Sequence, residues 1–437
     1  MKIIQVVPTV KNESDGVGVS VRGMSGGLGA HGVEVSLHCL DDVPERVRDS
    51  RYEIVNYQRL RYPFSSIGRS SGMFQGLKKT CQVADIIHTN GLWMMPNIYP
   101  AWAIRGTKCK LVVQPHGTLS KWAMHRSWWK KLPLWWLWQK RVLDKAEMLV
   151  ATCEKEYKEI RAQGYKQPVA IVPIGMDLPV PMVKGISGLV NWGIRSADAQ
   201  DEARESQSQV LVPEFRVEDN VRLVVPKAND CEQRVISHQQ LVTKNTRLRR
   251  IVFFGRVHKV KAVDHLVKAW GQLQVGLPDW ELVIAGPDCG AKRELETIIA
   301  EQQIPRVRFV GEINGPAKYD FLTEADIYVL PSHTENFGVT VAEALACGTP
   351  TIASQGTPWE GLEAEQCGKW VPIGVESLTE ALRELTSLTD EERTEMGKRG
   401  RAWIQRDFSW DGIGAKMKAA YAWLLGQGEK PNFVRVD

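Results

Sequence analysis

Residues 329–350 read VLPSHTENFGVTVAEALACGTP, and this stretch is the most informative in the chain. A short apolar run ends at Pro331, a polar loop carries Glu335, and from Val339 the apolar residues fall at helical spacing up to Cys347. That is a buried strand, a tight loop and a helix, with Gly338 and Val339 in the first helical turn. A helix N-terminus presents unpaired amides and a partial positive charge, which suits a phosphate. Gly338 lets the backbone approach a ligand closely. Glu343, little more than a turn inside the helix, can accept hydrogen bonds from both hydroxyls of a ribose.

The same rhythm extends in both directions. Downstream of residue 249, strands are expected at Arg250–Phe254, Trp280–Ala285, Arg306–Val310, Ile327–Leu330 and Thr351–Ala353, alternating with helices over Ala262–Gln274, Lys292–Glu301, Pro316–Thr323 and Val339–Cys347. Upstream, Lys2–Val7, Val33–Cys39, Asp85–His88, Lys110–Gln114, Glu147–Ala151 and Val169–Val172 read as strands, with helices at Val17–His31, Met73–Gln82 and Glu154–Gln163. Strand–helix alternation implies an α/β fold with parallel sheets, whose ligands bind beyond the carboxyl ends of the strands. From Val180 to Arg249 the pattern collapses into a polar, charged stretch, Ser196–Gln209 above all, which reads as a linker or surface insertion with little of the chemistry. The expected division is 1–178, a linker at 179–248, 249–405, and 406–437.

Several strand ends carry side chains suited to a phosphorylated ligand. Arg256 and Lys261 follow the strand ending in Phe254 and can neutralise a diphosphate, with Lys259 a competing candidate. Gly286 and Gly311 end two further strands. In the first half, Asp15-Gly16-Val17-Gly18 reads as a loop in which Gly16 and Gly18 permit close approach to a sugar phosphate. Asn90 and Trp93, beyond another strand end, are candidates for acceptor contact, as is His116 beside Gly117.

Composition narrows the class. The 437 residues are ample for two domains, and a net charge of +5 is too mild to suggest a nucleic-acid binder. The 8 cysteines are scattered, with no Cys-x-x-Cys pair, which argues against a zinc site or a disulfide framework and for a reducing compartment. With no signal peptide or membrane span legible, a cytoplasmic protein is expected. Eight of the 16 tryptophans lie between Trp93 and Trp138, and within 121–145 they interleave with Lys130, Lys131, Lys140 and Arg141. Such a segment suits an anionic membrane surface, with Trp135, Trp138 and Val142 on one face of a helix starting cleanly after Pro133. The competing reading is a helix that packs those tryptophans into the core.

The string Glu-Asn-Phe-Gly-x-x-x-x-Glu-Ala-x-Ala-x-Gly-x-Pro, with Glu335 and Glu343 at its two glutamates, resembles the signature of retaining glycosyltransferases of family 4, of the bacterial polysaccharide and glycolipid type. Gly356-Thr357-Pro358-Trp359-Glu360, Cys367-Gly368 and Phe408-Ser409-Trp410 look like later landmarks of bacterial members. The resemblance implies the GT-B fold: two Rossmann-like domains facing across a cleft, the first on the acceptor side and the second on the donor side, with a last helix crossing back to the first. It implies a nucleoside-diphosphate sugar held by Arg256 and Lys261 at the diphosphate, Glu343 at the ribose, and Glu312 and Ile313 at the base. Glu335 with Asn336, Phe337, Gly338 and Val339 would hold the donor sugar, and His116 would serve the sugar or acceptor. Where family members usually show Lys-Gly, this chain has Lys261-Ala262. No cofactor and no metal are implied, and the sequence has no Asp-x-Asp triplet. The implied acceptor is a polysaccharide or lipid-linked glycan at the inner membrane face. Two other readings stand beside it: a nucleotide-sugar epimerase on the same fold, and a non-catalytic nucleotide-sugar-binding protein.

Overall fold

The computed structural model describes residues 1–11, 16–40, 42–44, 48–60, 67–120, 123–124, 128–179 and 248–436. The expected insertion, with Ser196–Gln209, lies outside them, as do residues 121–122 and 125–127 of the Trp/Lys segment. The first sheet contains β1 (Lys2–Val6), β2 (Glu34–Leu40), β3 (Glu53–Tyr57), β4 (Ile86–Asn90), β5 (Lys110–Gln114), β6 (Met148–Ala151) and β7 (Val169–Ile171). The second contains β8 (Arg249–Phe254), β9 (Trp280–Ala285), β10 (Val307–Gly311), β11 (Ile327–Leu330), β12 (Thr351–Ser354) and β13 (Gly368–Val371). A last strand, β14 (Val434–Arg435), returns to the first sheet and pairs antiparallel with β7.

The strand orders are β14-β7-β6-β5-β4-β1-β2-β3 and β10-β9-β8-β11-β12-β13. Each sheet thus runs outward from its first strand in one direction and then reverses. The reversal opens a crevice between β1 and β4 in one sheet and between β8 and β11 in the other, the position where doubly wound sheets bind ligands. The central strands read as continuous apolar runs, because helices cover both faces of a parallel sheet. β8 buries Ile251, Val252 and Phe253, and all four residues of β11 are buried.

The C-terminal end belongs physically to the first sheet. The helix Trp410–Leu424 lies along Gly16–Ala30, so closely that a Cβ on Gly27 would sit 2.3 Å from the Trp410 carbonyl oxygen. Four of the fifteen residues GVGVSVRGMSGGLGA lie in this contact or beside Arg51, which explains glycines that cost helix propensity. Here the sequence reading is corrected. The Gly16–Gly18 stretch is the first turn of that helix, not a loop.

The Trp/Lys segment is corrected as well. Pro133 does not open a helix; it lies inside Trp128–Leu134, and the chain continues as a π-helical turn, Trp135–Gln139, before Lys140–Lys145. Proline removes an amide and crowds the carbonyl four residues back, and a wider turn is one way a helix absorbs this. Trp135 and Trp138 pack against the core rather than facing outward, the former against Trp93 with ring centroids 5.7 Å apart. Val142 is buried. Among the described large apolar residues of the segment, Trp129, Leu132, Trp136 and Leu137 face solvent. No helix among the described residues is long and apolar enough to cross a membrane.

Other elements were not legible. The helix Met95–Ala103 carries Pro96 in its first turn and Pro100 inside, and proline usually marks a boundary. The strand β3 is only half-buried. The helices Val375–Ser387 and Asp390–Asp407 follow β13 and add to the second half beyond the elements expected from its sequence.

Candidate active site

In the second sheet, β8 ends at Phe254 and leads through Gly255 and Arg256 into a short 3-10 turn, Lys259–Lys261, which His258 caps by accepting from the Val260 amide at 3.1 Å. Ala262 then takes the left-handed conformation, φ 48° and ψ 40°. That geometry favours glycine, and an alanine there costs about 1 kcal/mol. Here it also ends the turn so that Lys261 faces inward. The Lys261 ammonium lies 2.5 Å from Glu335 Oε1, and each side chain is only 14% exposed. Lys259 points away and pairs with Glu294 on the surface, 73% exposed.

Across the crevice, Pro331 to Gly338 connects β11 to the helix Val339–Ala346. This loop is held from several sides. The His333 amide donates to the Val260 carbonyl at 2.9 Å, the Glu335 amide to Gly356 at 2.8 Å, and the Trp359 indole to Phe337 at 2.6 Å. Gly338 caps the helix at φ 78°, and a Cβ there would press on the Trp359 ring nitrogen at 3.2 Å. Ser332 donates to Glu335 Oε1 at 2.6 Å, so one carboxylate oxygen carries both Lys261 and Ser332. Its other oxygen makes no hydrogen bond among the described residues. Glu343, 6% exposed, repeats the arrangement one turn into the helix, with Lys318 2.5 Å from its Oε1. Tyr328, on β11, binds Thr340 at 2.6 Å and ties strand to helix. Arg256 is exposed and has no hydrogen bond or ion pair among the described residues. Gly311 ends β10 with φ 73°, leaving Glu312 exposed and Ile313 buried.

The first sheet's crevice is lined differently. Asn90, 2% exposed, donates to Gln5 at 2.9 Å and to the Val6 carbonyl at 3.3 Å. Its Oδ1 must therefore accept from His116 Nε2, 3.3 Å away. This fixes the proton on Nε2 and leaves Nδ1 as an acceptor. Burial lowers the His116 pKa to about 4, so the ring is neutral at pH 7. His116 itself holds a left-handed conformation, φ 54°, followed by Gly117 at 74°. Asn90, expected at the acceptor, sits behind His116 as its support, because its amide is consumed by β1. Trp93 packs tilted against Trp135, and its backbone amide donates to the Gln139 side chain at 2.9 Å. Gly16 and Gly18 lie in the helix facing Trp410–Leu424, on the β1 side of this crevice.

The two halves meet at the first turn of the helix Glu154–Ala162, which sequence reasoning did not single out. Glu156 is fully buried and accepts from the Gly117 amide at 2.5 Å and from the Thr152 amide and hydroxyl, both at 2.7 Å. Burial pushes its pKa up, against the pull of those donors. The Thr152 oxygen in turn accepts from the Asn336 side chain at 3.0 Å. Lys155 reaches Thr334 at 2.6 Å and the Glu335 carbonyl at 3.0 Å. Gly117, next in the chain to His116, and the loop bearing Glu335 are thus joined by an unbroken chain of hydrogen bonds through Glu156, Thr152 and Asn336.

Two family models match this chain in tandem: Glycosyltransferase Family 4 over residues 14–179, and Glycosyl transferases group 1 over residues 237–403. The chain belongs to glycosyltransferase family 4. Its architecture is GT-B. Among solved structures, the family 4 protein superposes on Anabaena Alr3699/HepE in complex with UDP with a TM-score of 0.67, at 15% identity, over 97% of this chain and 100% of that one. Sucrose-phosphate synthase from Thermosynechococcus elongatus gives a TM-score of 0.62 at 21% identity, over 98% and 99% of the two chains. In sequence it is 32% identical over 174 residues to a GDP-mannose-dependent monoacylated alpha-(1-6)-phosphatidylinositol monomannoside mannosyltransferase of Corynebacterium glutamicum, covering 36% of this chain and 42% of that protein. A D-inositol 3-phosphate glycosyltransferase of Xylanimonas cellulosilytica is 28% identical over 56% of this chain and 61% of its own length. The chain therefore matches less than two thirds of the length of either relative.

Proposed function

We propose that this family 4 protein transfers a sugar, a hexose or an N-acetylhexosamine, from a nucleoside diphosphate to a hydroxyl of a polysaccharide or lipid-linked glycan, with retention at the anomeric carbon. One observation carries the reading: Arg256, Lys261, Glu335, Glu343 and the N-terminus of Val339–Ala346 converge on the β8/β11 crevice. Arg256 and Lys261 hold the diphosphate and stabilise the charge that grows on it as the glycosidic bond breaks. The amides from Asn336 to Val339 meet the same group or the donor sugar. Glu335 offers its free oxygen to the sugar, Glu343 its free oxygen to the ribose, and the backbone at Glu312 and Ile313 the base. His116, neutral, accepts from a sugar or acceptor hydroxyl through Nδ1. No metal or cofactor enters this scheme, so transfer is expected to survive EDTA.

A membrane-bound acceptor is supported by the exposed Trp129, Leu132, Trp136 and Leu137, at helical spacing and beside exposed Arg141. Burying such an apolar face in the headgroup layer adds to attraction by anionic lipid. The protein is then cytoplasmic and peripheral on the inner face, and it should co-sediment with phosphatidylglycerol vesicles at low salt. Trp136→Ser with Leu137→Ser should release it.

The transfer reading is tested with uridine, guanosine and adenosine diphosphate sugars, incubated with and without a membrane extract. Acceptor-dependent release of the nucleoside diphosphate supports it. Conversion of a donor to its epimer without acceptor would replace it with an epimerase, and failure of every donor to bind would leave a non-catalytic fold.

A further inference from the structure

The loop after β10 leads directly into the short helix Ala317–Thr323, and Lys318 on that helix reaches the buried Glu343 from the side of Glu312 and Ile313. We infer that Lys318 is the residue that prepares Glu343 to recognise a ribose, and so sets a preference for ribonucleotide over deoxyribonucleotide donors. This rests on the reading of Glu343 as the ribose contact.

A carboxylate at 6% exposure is costly unless it is paired. Lys318 supplies the partner at 2.5 Å, on Oε1 only. Its side chain is 27% exposed and its ammonium lies 4.8 Å from the centre of the Tyr319 ring. Burial works to lower the Lys318 pKa, but attraction and hydrogen bonding from Glu343 outweigh it and hold the amine above its ordinary value. Lys318 is therefore a charged partner for the carboxylate. With Oε1 occupied, the carboxylate is held in one rotamer and Oε2 keeps its lone pairs for a diol, which brings two O–H donors. Lys261 and Ser332 treat Glu335 in the same way, one oxygen taken and one left free.

Lys318 is a positioning residue in this account, and the opposite role has the opposite sign. If the pair merely plugged the site, removing Lys318 would tighten nucleotide binding.

The test is calorimetric titration of UDP and GDP, each against its 2′,3′-dideoxy counterpart, into wild type, Glu343→Ala, Lys318→Met and Lys318→Arg. Wild type should prefer the ribonucleotide by about tenfold, the equivalent of one good hydrogen-bonding contact. Glu343→Ala should abolish the preference. Lys318→Met should cut it several-fold while leaving dideoxynucleotide affinity within about twofold of wild type, and Lys318→Arg should restore most of it. Equal weakening on both sugars in Lys318→Met, or tighter binding, overturns the role of Lys318 while a selective Glu343→Ala leaves the ribose reading standing. An unchanged preference in Glu343→Ala removes the ribose reading and Lys318 with it, as does wild type that binds neither diphosphate. Should Lys318→Met not fold, Lys318→Gln makes the same comparison, keeping a donor without the charge.

Discussion

The two sheets share one strand order and differ in what lines their crevices. Between β8 and β11 the side chains are charged: Arg256, Lys261, Glu335, Lys318 and Glu343. Between β1 and β4 they are neutral and interlocked, with Gln5, His88, Asn90, His116 and Tyr421 joined by hydrogen bonds. Topology therefore decides where a ligand can sit, and side chains decide which. A charged crevice suits a diphosphate, because charge-assisted bonds are roughly twice as strong as neutral ones. A neutral one suits sugar hydroxyls, which it can order without attracting ions.

The sharpest break in this comparison comes from acid. Burial lowers the pKa of His38 and His116 to about 4 and that of His88 to about 3, the last helped by nearby His116, against an ordinary 6.5. The unfolded chain binds more protons than the folded one between these values. Their contribution is thus fully present above pH 6.5 and is lost as pH falls toward 4. One histidine shifted from 6.5 to about 4 withdraws about 2 kcal/mol at pH 5. Glu156, pushed up from its ordinary 4.5, acts in the opposite sense, its contribution growing as pH falls toward 4.5. Melting curves from pH 7.5 to 4.5 should fall through this window, with amides of the first sheet exchanging first. A flat midpoint would remove the account of a neutral, buried first crevice.

Next in size is the proposed diphosphate clamp. Lys261→Ala and Arg256→Ala should each weaken nucleoside-diphosphate binding by about 2 kcal/mol or more, read by calorimetry. Arg256→Ala should leave the melting temperature unchanged, since the side chain supports nothing in the described residues. Glu343→Ala should chiefly raise the donor Kd, and Glu335→Ala should chiefly lower kcat, as expected of uniform and transition-state contacts. Equal, purely binding defects in both would erase that division.

The seam gives a smaller effect. Glu156→Gln keeps the shape but turns an amide nitrogen toward a donor, either at Gly117 or at Thr152. It should cost about 1–3 kcal/mol of stability, measured by urea denaturation, and lower turnover by loosening His116. Wild-type stability would mean the three short bonds to Glu156 are not held in solution. The smallest change should be Lys259→Ala, because an exposed ion pair contributes little. Donor affinity and melting temperature should both match wild type, and a binding loss would reopen the choice between Lys259 and Lys261.

Much of this site is legible in order along the chain. The strand ends at Phe254 and Leu330, the helix from Val339 and the two glutamates follow from local pattern, because apolar runs and glycine punctuation record burial and turns directly. The tryptophan segment was harder. Trp135, Trp138 and Val142 share a helical face, yet spacing alone does not say whether that face meets the core or solvent. Pro133 misled for a related reason, since a π-helical turn after an internal proline depends on what the surrounding side chains pack against.

The sequence by itself determined that the chain folds as two doubly wound sheets, that it carries the family 4 signature, and which charged residues sit at the second sheet's strand ends. Only the tertiary structure shows that Lys261 turns inward to Glu335 while Lys259 pairs with Glu294 on the surface. Only it brought Lys318 to Glu343 across 25 residues, and Glu156, Thr152 and Asn336 together across 184. It also turned Asn90 from a candidate contact into the support of His116. Local pattern encodes which elements form and which faces are buried. The partner of a buried charge is set by how those elements pack, and packing joins residues that sequence spacing keeps apart.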